Sequence, residues 1–376
     1  KPLATYGPAM DAGIATPDTT VYDRALIQDA EGNPWPMNDG KYPTGRAMTV
    51  KEGMTRSLNT ISAQLLKQLT PQKSYEFMTQ QLGFKLVDSR TNEDGTVQSD
   101  IDLAPLALGA LTDGVTVREM AGGFSTFIND GVYGGTRTYT KVTDSEGNTI
   151  MENTPNTDKG FTNVRTDYYM LDCLQNVTAH GTAYGIQLDG VETGGKTGTT
   201  TSNTDIWFCG ITPKYSGAVW VGYEHNYRLD GLYGRNAAEI WLAVMQKVHA
   251  GDSGLVFDSH PQDFEEVTYC MDTGLLASGA CRAAGRAATG RFWKDKVPTE
   301  TCSHQNIENK YDFESMGVDN YYYDDEEDDS DSDSSSSDTD TGNEDSGDGG
   351  SYDSGDSGDS GGDSGDSGDS SEDPEA

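Results

Sequence analysis

Two short segments in the interior of the chain, and one at its start, hold side chains with chemistry to offer. The first is Lys196-Thr197-Gly198-Thr199, preceded by Gly194-Gly195. At the edge of a sheet beside a cleft, Lys196 supplies a fixed positive charge. The hydroxyls of Thr197 and Thr199 suit a carboxylate. Gly198 has no side chain, so a bound backbone can approach the strand closely. Taken alone the triplet equally fits an exposed edge-strand lysine. The second segment is Ser57-Leu58-Asn59. Its hydroxyl can relay protons and its amide can orient a carbonyl, while Ser57 is also a good helix N-cap. The third is Lys1-Pro2-Leu3, followed by Tyr6-Gly7-Pro8-Ala9-Met10.

The elements around these segments read as mixed α and β. Met54, Leu58, Ile61, Leu65 and Leu69 recur at spacings of three and four and mark an amphipathic helix, with Ser57 near its start. Shorter helical patterns cover residues 74–82, stopped by Gly83, and residues 118–129, stopped by Asn129-Asp130-Gly131. Another covers 166–178. The period then changes. Residues 194–201, 205–211 and 218–223 are rich in β-branched and aromatic side chains and are split by Ser202-Asn203 and Pro213-Lys214. They read as three consecutive antiparallel strands. A last helix covers 237–249. Helices, a strand meander and one more helix give an α+β domain with helices packed on an antiparallel sheet. Residues 86–100 read as a surface loop and 252–312 as an irregular C-terminal appendage. Trp207, Trp220, Trp241 and Phe208 read as core and sheet packing.

Charge divides the chain. Of its 62 Asp and Glu, 22 lie in residues 324–376, where there is no Lys or Arg; 40 acids against 26 bases remain before it. The acidic tail, rich in Ser and Gly, has too little apolar surface to offset ordering entropy and reads as a disordered spacer behind a short linker, 313–323, with weak cation binding as the alternative. No basic patch suits nucleic acid, and no apolar run is long enough to span a membrane. The chain opens on lysine, without an initiator Met or signal segment, and is expected to be a piece of a longer one. The histidines His180, His225, His249, His260 and His304 show no His-x-x-x-His or His-Glu-x-x-His spacing, so a catalytic metal is not expected. Cys173 and Cys209 sit in helical and strand patterns and read as buried apolar residues. Cys281, Cys302 and His304 hint at metal ligation, but a disulfide or free thiols are the readings preferred, and in an extracellular setting one disulfide among Cys270, Cys281 and Cys302. No metal and no cofactor are assigned.

In order along the chain, these segments resemble the transpeptidase domain of class A penicillin-binding proteins. Lys1-Pro2-Leu3 and the Tyr-x-Pro-Ala helix after it are similar to the lysine end of the family's Ser-x-x-Lys motif and the helix behind it. Arg56-Ser57-Leu58-Asn59-Thr60 resembles the Ser-x-Asn motif, with Pro36-Met37-Asn38 ahead of it. Met120-Ala121-Gly122-Gly123-Phe124 to Asn129-Asp130-Gly131, and His180-Gly181-Thr182-Ala183 before the Lys-Thr-Gly strand, look like further family segments. So do the strands Asp205-Ile206-Trp207-Phe208-Cys209-Gly210 and Val219-Trp220-Val221-Gly222. The ending, with Cys270, Gly274, Cys281, Phe292, Pro298, Cys302 and His304, is similar to that of many class A members.

The resemblance implies a β-lactamase-like serine-transpeptidase fold, N-terminally truncated, over residues 1–312. It implies peptidoglycan stem peptides ending in D-Ala-D-Ala and β-lactams as partners, and an extracytoplasmic site anchored to the membrane only through a missing N-terminal segment. In the implied mechanism Lys1 is the base and Ser57 the proton shuttle. Asn59 holds the acyl-side amide, Lys196 supplies the cation, and Thr197, Gly198 and Thr199 receive the substrate. The Thr199 N–H forms half of the oxyanion hole. The nucleophilic serine would stand three residues before Lys1, outside the chain, so the polypeptide as given is expected to be inactive. Class B transpeptidases, D,D-carboxypeptidases and serine β-lactamases share parts of the three-motif set. A penicillin-recognising sensor or scaffold without turnover is the non-enzyme alternative.

Overall fold

The computed structural model describes residues 1–28, 32–163, 165–258 and 263–304. The linker and acidic tail read from the sequence lie outside the described residues, as does His260.

A π-type turn at Pro2–Tyr6 opens the chain and runs into helix α1 (Gly7–Asp11). Proline suits a first helical turn because its fixed φ is helical and its missing N–H would have no partner there. Thr5 N and Tyr6 N both donate to Lys1 O, at 2.9 and 3.1 Å, which fixes the Lys1 backbone. Strand β1 (Thr20–Tyr22) pairs antiparallel with β2 (Ala47–Thr49). Thr49 then starts helix α2 (Val50–Thr55) through a reciprocal cap. Its hydroxyl accepts from Glu52 N at 3.0 Å, and the Glu52 carboxylate accepts from Thr49 N at 3.0 Å.

The amphipathic repeat through 54–69 is not one helix. α2 stops at Thr55, Ser57 turns into the left-handed region (φ 60), and α3 (Asn59–Leu69) starts afresh. Met54 and Ile61 are both fully buried in the same core, so the hydrophobic period runs across a break it does not reveal. Helix α4 (Pro71–Glu76) begins earlier than its sequence pattern, capped by the Thr70 hydroxyl, and a π-type turn at Phe77–Gln81 carries it to Gly83. Residues 86–100 contain a two-residue antiparallel pairing of 90–91 with 97–98. Helix α5 (Val117–Phe124) ends in a 3-10 turn, Ser125–Ile128, before Asn129-Asp130-Gly131. Helix α6 (Arg165–His180) follows the expected one closely.

The three central strands are β3 (Gly194–Thr199), β4 (Asp205–Ile211) and β5 (Ser216–Gly222). They form one antiparallel sheet in the order β5-β4-β3, so β3 is an edge. Register sets Lys196 opposite Cys209 and Thr199 opposite Ile206. Helix α7 (Gly234–Val248) covers one face, where Phe208 meets Trp241 edge-to-face at 5.4 Å. α5 and α6 lie on the other: Ser216 Oγ donates to Ala121 O at 2.8 Å, and Leu174 packs over Gly194. Gly195 is required by this sandwich, since a Cβ there would stand 2.3 Å from the Phe208 ring. Trp207 and Trp220 pair at 6.4 Å, but Trp220 is exposed and donates to Asp205 Oδ1, so it belongs to the sheet surface rather than the core.

Within the stretch read as irregular, residues 264–304 hold regular elements. Strands β6 (Phe264–Cys270) and β7 (Ala287–Trp293) pair antiparallel over seven residues, with short helix α8 (Gly279–Ala283) between them. Glu265, Glu266 and Arg291 interrupt the apolar alternation that would have announced these strands. The expected disulfide is also corrected. All five cysteines are free thiols, and Cys270, Cys281 and Cys302 form a small buried cluster of their own.

Candidate active site

Two lysines from distant parts of the chain converge on Ser57. Lys1 Nζ donates to Ser57 O at 2.6 Å and to Asn59 Oδ1 at 2.5 Å. Lys196 Nζ donates to Ser57 Oγ at 2.8 Å and to Thr197 O at 2.8 Å. The left-handed Ser57 makes this possible. It turns the carbonyl toward one cation and the hydroxyl toward the other, at a backbone cost of roughly 1–3 kcal/mol. Ser57 is therefore not the N-cap of α3. That cap comes from elsewhere: Asn38 Oδ1 accepts from Asn59 N at 2.9 Å and Thr60 N at 3.2 Å.

Asn38 is itself held. Its amide donates to Asp23 Oδ1 at 2.6 Å, and the buried Asp23 carboxylate also accepts from Thr60 Oγ1 (2.6 Å), Thr44 N (2.9 Å) and Thr44 Oγ1 (2.8 Å). Asp23, Asn38, Thr44 and Thr60 are the positioning residues that the sequence did not single out as such. Pro36-Met37-Asn38 was visible as a segment, but Asn38's task depends on a contact across 21 residues. The Asn59 side chain completes the arrangement. Oδ1 accepts from Lys1 Nζ, and Nδ2 donates to Met37 O at 2.8 Å.

Burial and like charge act together on the two cations. Burial, and then the Lys196 charge, hold Lys1 Nζ well below the ordinary lysine range, with Asp39 partly opposing. Burial brings Lys196 down to about 8, with Cys209 partly opposing. Burial disfavours an ammonium ion, and two ammonium ions on one serine residue disfavour each other, so a proton is easily lost here. A neutral amine beside a hydroxyl is a base.

The edge strand provides the rest. Thr200 N donates to Asp205 O at 3.0 Å, so the two-residue alternation of the ladder turns the Thr199 N–H away from β4, to the open edge. The carbonyl of Thr197 is on that same edge, where Lys196 reaches it. Thr197 Oγ1 lies 2.6 Å from Thr182 Oγ1, and Thr199 Oγ1 accepts from Gly234 N at 3.2 Å. Thr182 thus joins the site from the turn after α6. Gly198 has a structural reason as well as a chemical one, because a Cβ there would stand 3.2 Å from Trp207 Cβ. All of Lys1, Ser57, Asn59, Lys196, Thr197, Gly198 and Thr199 fall along one path from the Lys1 amine to the β3 edge.

The family profile described as "Penicillin binding protein transpeptidase domain" matches residues 1–246. The chain belongs to the penicillin-binding protein transpeptidase family. A second profile, "Penicillin-binding protein 1A, C-terminal domain", matches residues 260–306. Penicillin-binding protein 1A of Clostridium acetobutylicum is 34% identical over 254 residues, covering 65% of this chain and 30% of that protein. Penicillin-binding protein 1A of Clostridium perfringens is 28% identical over 316 residues, covering 82% and 37%. The chain therefore spans about a third of the length of these relatives. Penicillin-binding protein 1A of Haemophilus influenzae has the same fold, with a TM-score of 0.62 at 21% identity over 80% of this chain and 48% of that one. PonA1 of Mycobacterium tuberculosis aligns with a TM-score of 0.56 at 23% identity, over 68% and 70%. Family membership and an α+β penicillin-binding fold are what the motifs implied. No helix among the described residues is long and apolar enough to cross a membrane.

Proposed function

We propose that residues 1–312 form a peptidoglycan D,D-transpeptidase unit working through a serine acyl-enzyme, and that β-lactams acylate the same serine. The observation carrying this reading is the convergence of Lys1 and Lys196 on Ser57 beside the open edge of β3. The nucleophile belongs three residues before Lys1. Neutral Lys1 takes the proton of its hydroxyl as the oxygen attacks the carbonyl between two D-alanines. The oxyanion is held by the Thr199 N–H and the N–H of that serine. The intermediate collapses by breaking the C–N bond. The departing D-alanine amine receives its proton through Ser57, with Lys196 holding the hydroxyl in place. The acyl group then passes to an amine of a neighbouring stem peptide. Asn59 orients the acyl-side amide, and Thr197 and Thr199 receive the terminal carboxylate over Gly198. The parent protein would present this site outside the cytoplasm, anchored by a preceding segment.

The serine position lies outside the 376 residues. The polypeptide as given should therefore form no covalent adduct with a fluorescent penicillin, and a chain extended upstream in its natural sequence should form one. Labelling of the unextended polypeptide would sink the assignment of the nucleophile.

A further inference from the structure

The C-terminal hairpin holds a second cluster of reactive side chains that the acyl-transfer chemistry does not use. Cys270 ends β6, Cys281 lies in α8, and Cys302 and His304 come after β7. One ligand atom from each of the four lies within 4.8 Å of all the others. Cys270 Sγ and His304 Nδ1 are 3.7 Å apart. A tetrahedral zinc ion with bonds of about 2.0–2.3 Å sets its ligands about 3.5–3.8 Å apart, so a small contraction of the cluster suffices. All three sulfurs are buried and unbridged.

The surroundings are those of a ligand set rather than of a core. Among the described residues, the apolar side chains packed on the three cysteines are Leu275, Ala277 and Ala287, while the hairpin's aromatic packing, such as Phe264 on Trp293 and Tyr269 on Phe292, involves other residues. The sulfurs meet donors instead. Ser278 N donates to Cys281 Sγ at 3.4 Å, and His304 N donates to Cys302 Sγ at 3.2 Å. Such N–H···S bonds favour thiolates. The backbone brings the pieces together in advance: Cys270 N donates to Leu275 O (2.7 Å), and Cys302 N to Leu276 O (2.9 Å). Asp272 stands 4.0 Å from His304 Nδ1 and is paired with Arg286, whose guanidinium donates to Ala47 O at 2.8 Å. Thr20 Oγ1 donates to Met271 O at 2.6 Å, so the cluster is fastened to β1 and β2.

We propose that Cys270, Cys281, Cys302 and His304 form a structural zinc site that locks the C-terminal hairpin onto the transpeptidase body. Three soft thiolates and one imidazole in tetrahedral reach select zinc, and four protein ligands leave no open position for catalysis. This inference stands apart from the nucleophile and the reaction. It replaces the disulfide expected for an extracellular setting.

The full chain, purified under reducing conditions without chelator, tests it by elemental analysis. One equivalent of zinc is expected. Replacement by cobalt should give thiolate-to-cobalt charge-transfer absorption and the intense visible bands of a tetrahedral ion. His304→Ala, whose side chain is less buried than the sulfurs, should weaken zinc in competition with a chromophoric chelator. The loss should exceed the roughly 10–100-fold typical of removing an outer partner. Zinc should also shield Cys270, Cys281 and Cys302 from alkylation, and chelator should release them. A chain that holds no zinc after incubation with it, or that carries a disulfide among these cysteines, overturns the proposal. So does zinc that is retained equally by Cys281→Ser.

Discussion

The active-site cluster and the cysteine cluster are both buried and polar, and they are unbalanced in opposite directions. Around Ser57 two lysine side chains converge, one on the carbonyl and one on the hydroxyl, with Asp39 only partly opposing the effect on Lys1. Around Cys270 three thiols and an imidazole converge with one arginine pair at their margin. The first cluster relieves its imbalance by losing a proton or receiving an anion. The second relieves its own by receiving a cation. Burial drives both, since a low-dielectric site penalises unmatched charge. The lesson is that burial of this kind marks function when it leaves a cluster incomplete. Asp23 is the internal contrast: its carboxylate is buried too, but four hydrogen bonds complete it, and it serves as scaffold.

The largest effect should come from the base. In an upstream-extended chain, Lys1→Ala should lower the second-order rate of penicillin acylation by about 10²–10⁴-fold, read by stopped labelling on gels. Cys281→Ser, in the other cluster, should leave that rate within a few-fold. Equal losses in both would erase the distinction between the clusters. Next, Asp23→Ala strips partners from Asn38, Thr60 and Thr44 and should cost about 3 kcal/mol in denaturant unfolding. A smaller loss would mean that water takes over the carboxylate's place.

Gly195→Ala comes third, at about 1–3 kcal/mol by the same measurement, because the new methyl group must displace the Phe208 ring. Acylation should fall with it, since Lys196 is the next residue. The smallest effect is a slope. Lys196 titrates near 8 when folded and near its ordinary 10.5 when unfolded. Below about 8 both states carry the proton and the folded state bears the full cost of burying it. Between these values the unfolded chain binds more protons, so stability rises with pH, by at most about 1.4 kcal/mol per pH unit. Lys196→Met should flatten that rise, and an unchanged slope would place the depressed cation elsewhere.

Much of the fold was legible because local and tertiary preferences agree. The strand Asp205–Ile211 matches its sequence reading because alternation, β-branching and flanking turns all point one way. α7 starts three residues before its apolar pattern, at Gly234, because its first turn is held by the Tyr233–Asn236 cap and by Gly234 lying close against β3, neither of which shows as an apolar repeat. The break at Ser57 was hidden, since Met54 and Ile61 keep helical spacing while the chain between them does not stay helical. In the site, side chains with their own chemistry were visible. Asn38 and Asp23 were not, because their roles exist only once β1, β2 and α3 are assembled. Of the cysteine cluster, Cys281, Cys302 and His304 were named together as a metal hint, but Cys270 was not joined to them. It stands at a strand end, far in sequence from the helix and later loop that supply the others.

The account's central claim is that Lys1, Ser57 and Lys196 serve a serine standing three residues ahead of Lys1. Peptide mapping by mass spectrometry of the penicillin adduct on an upstream-extended chain tests it most directly. The expected result is a single acylated peptide with the adduct on that serine. An adduct on Ser57, or a folded extended chain that carries the serine and stays unlabelled, would contradict it.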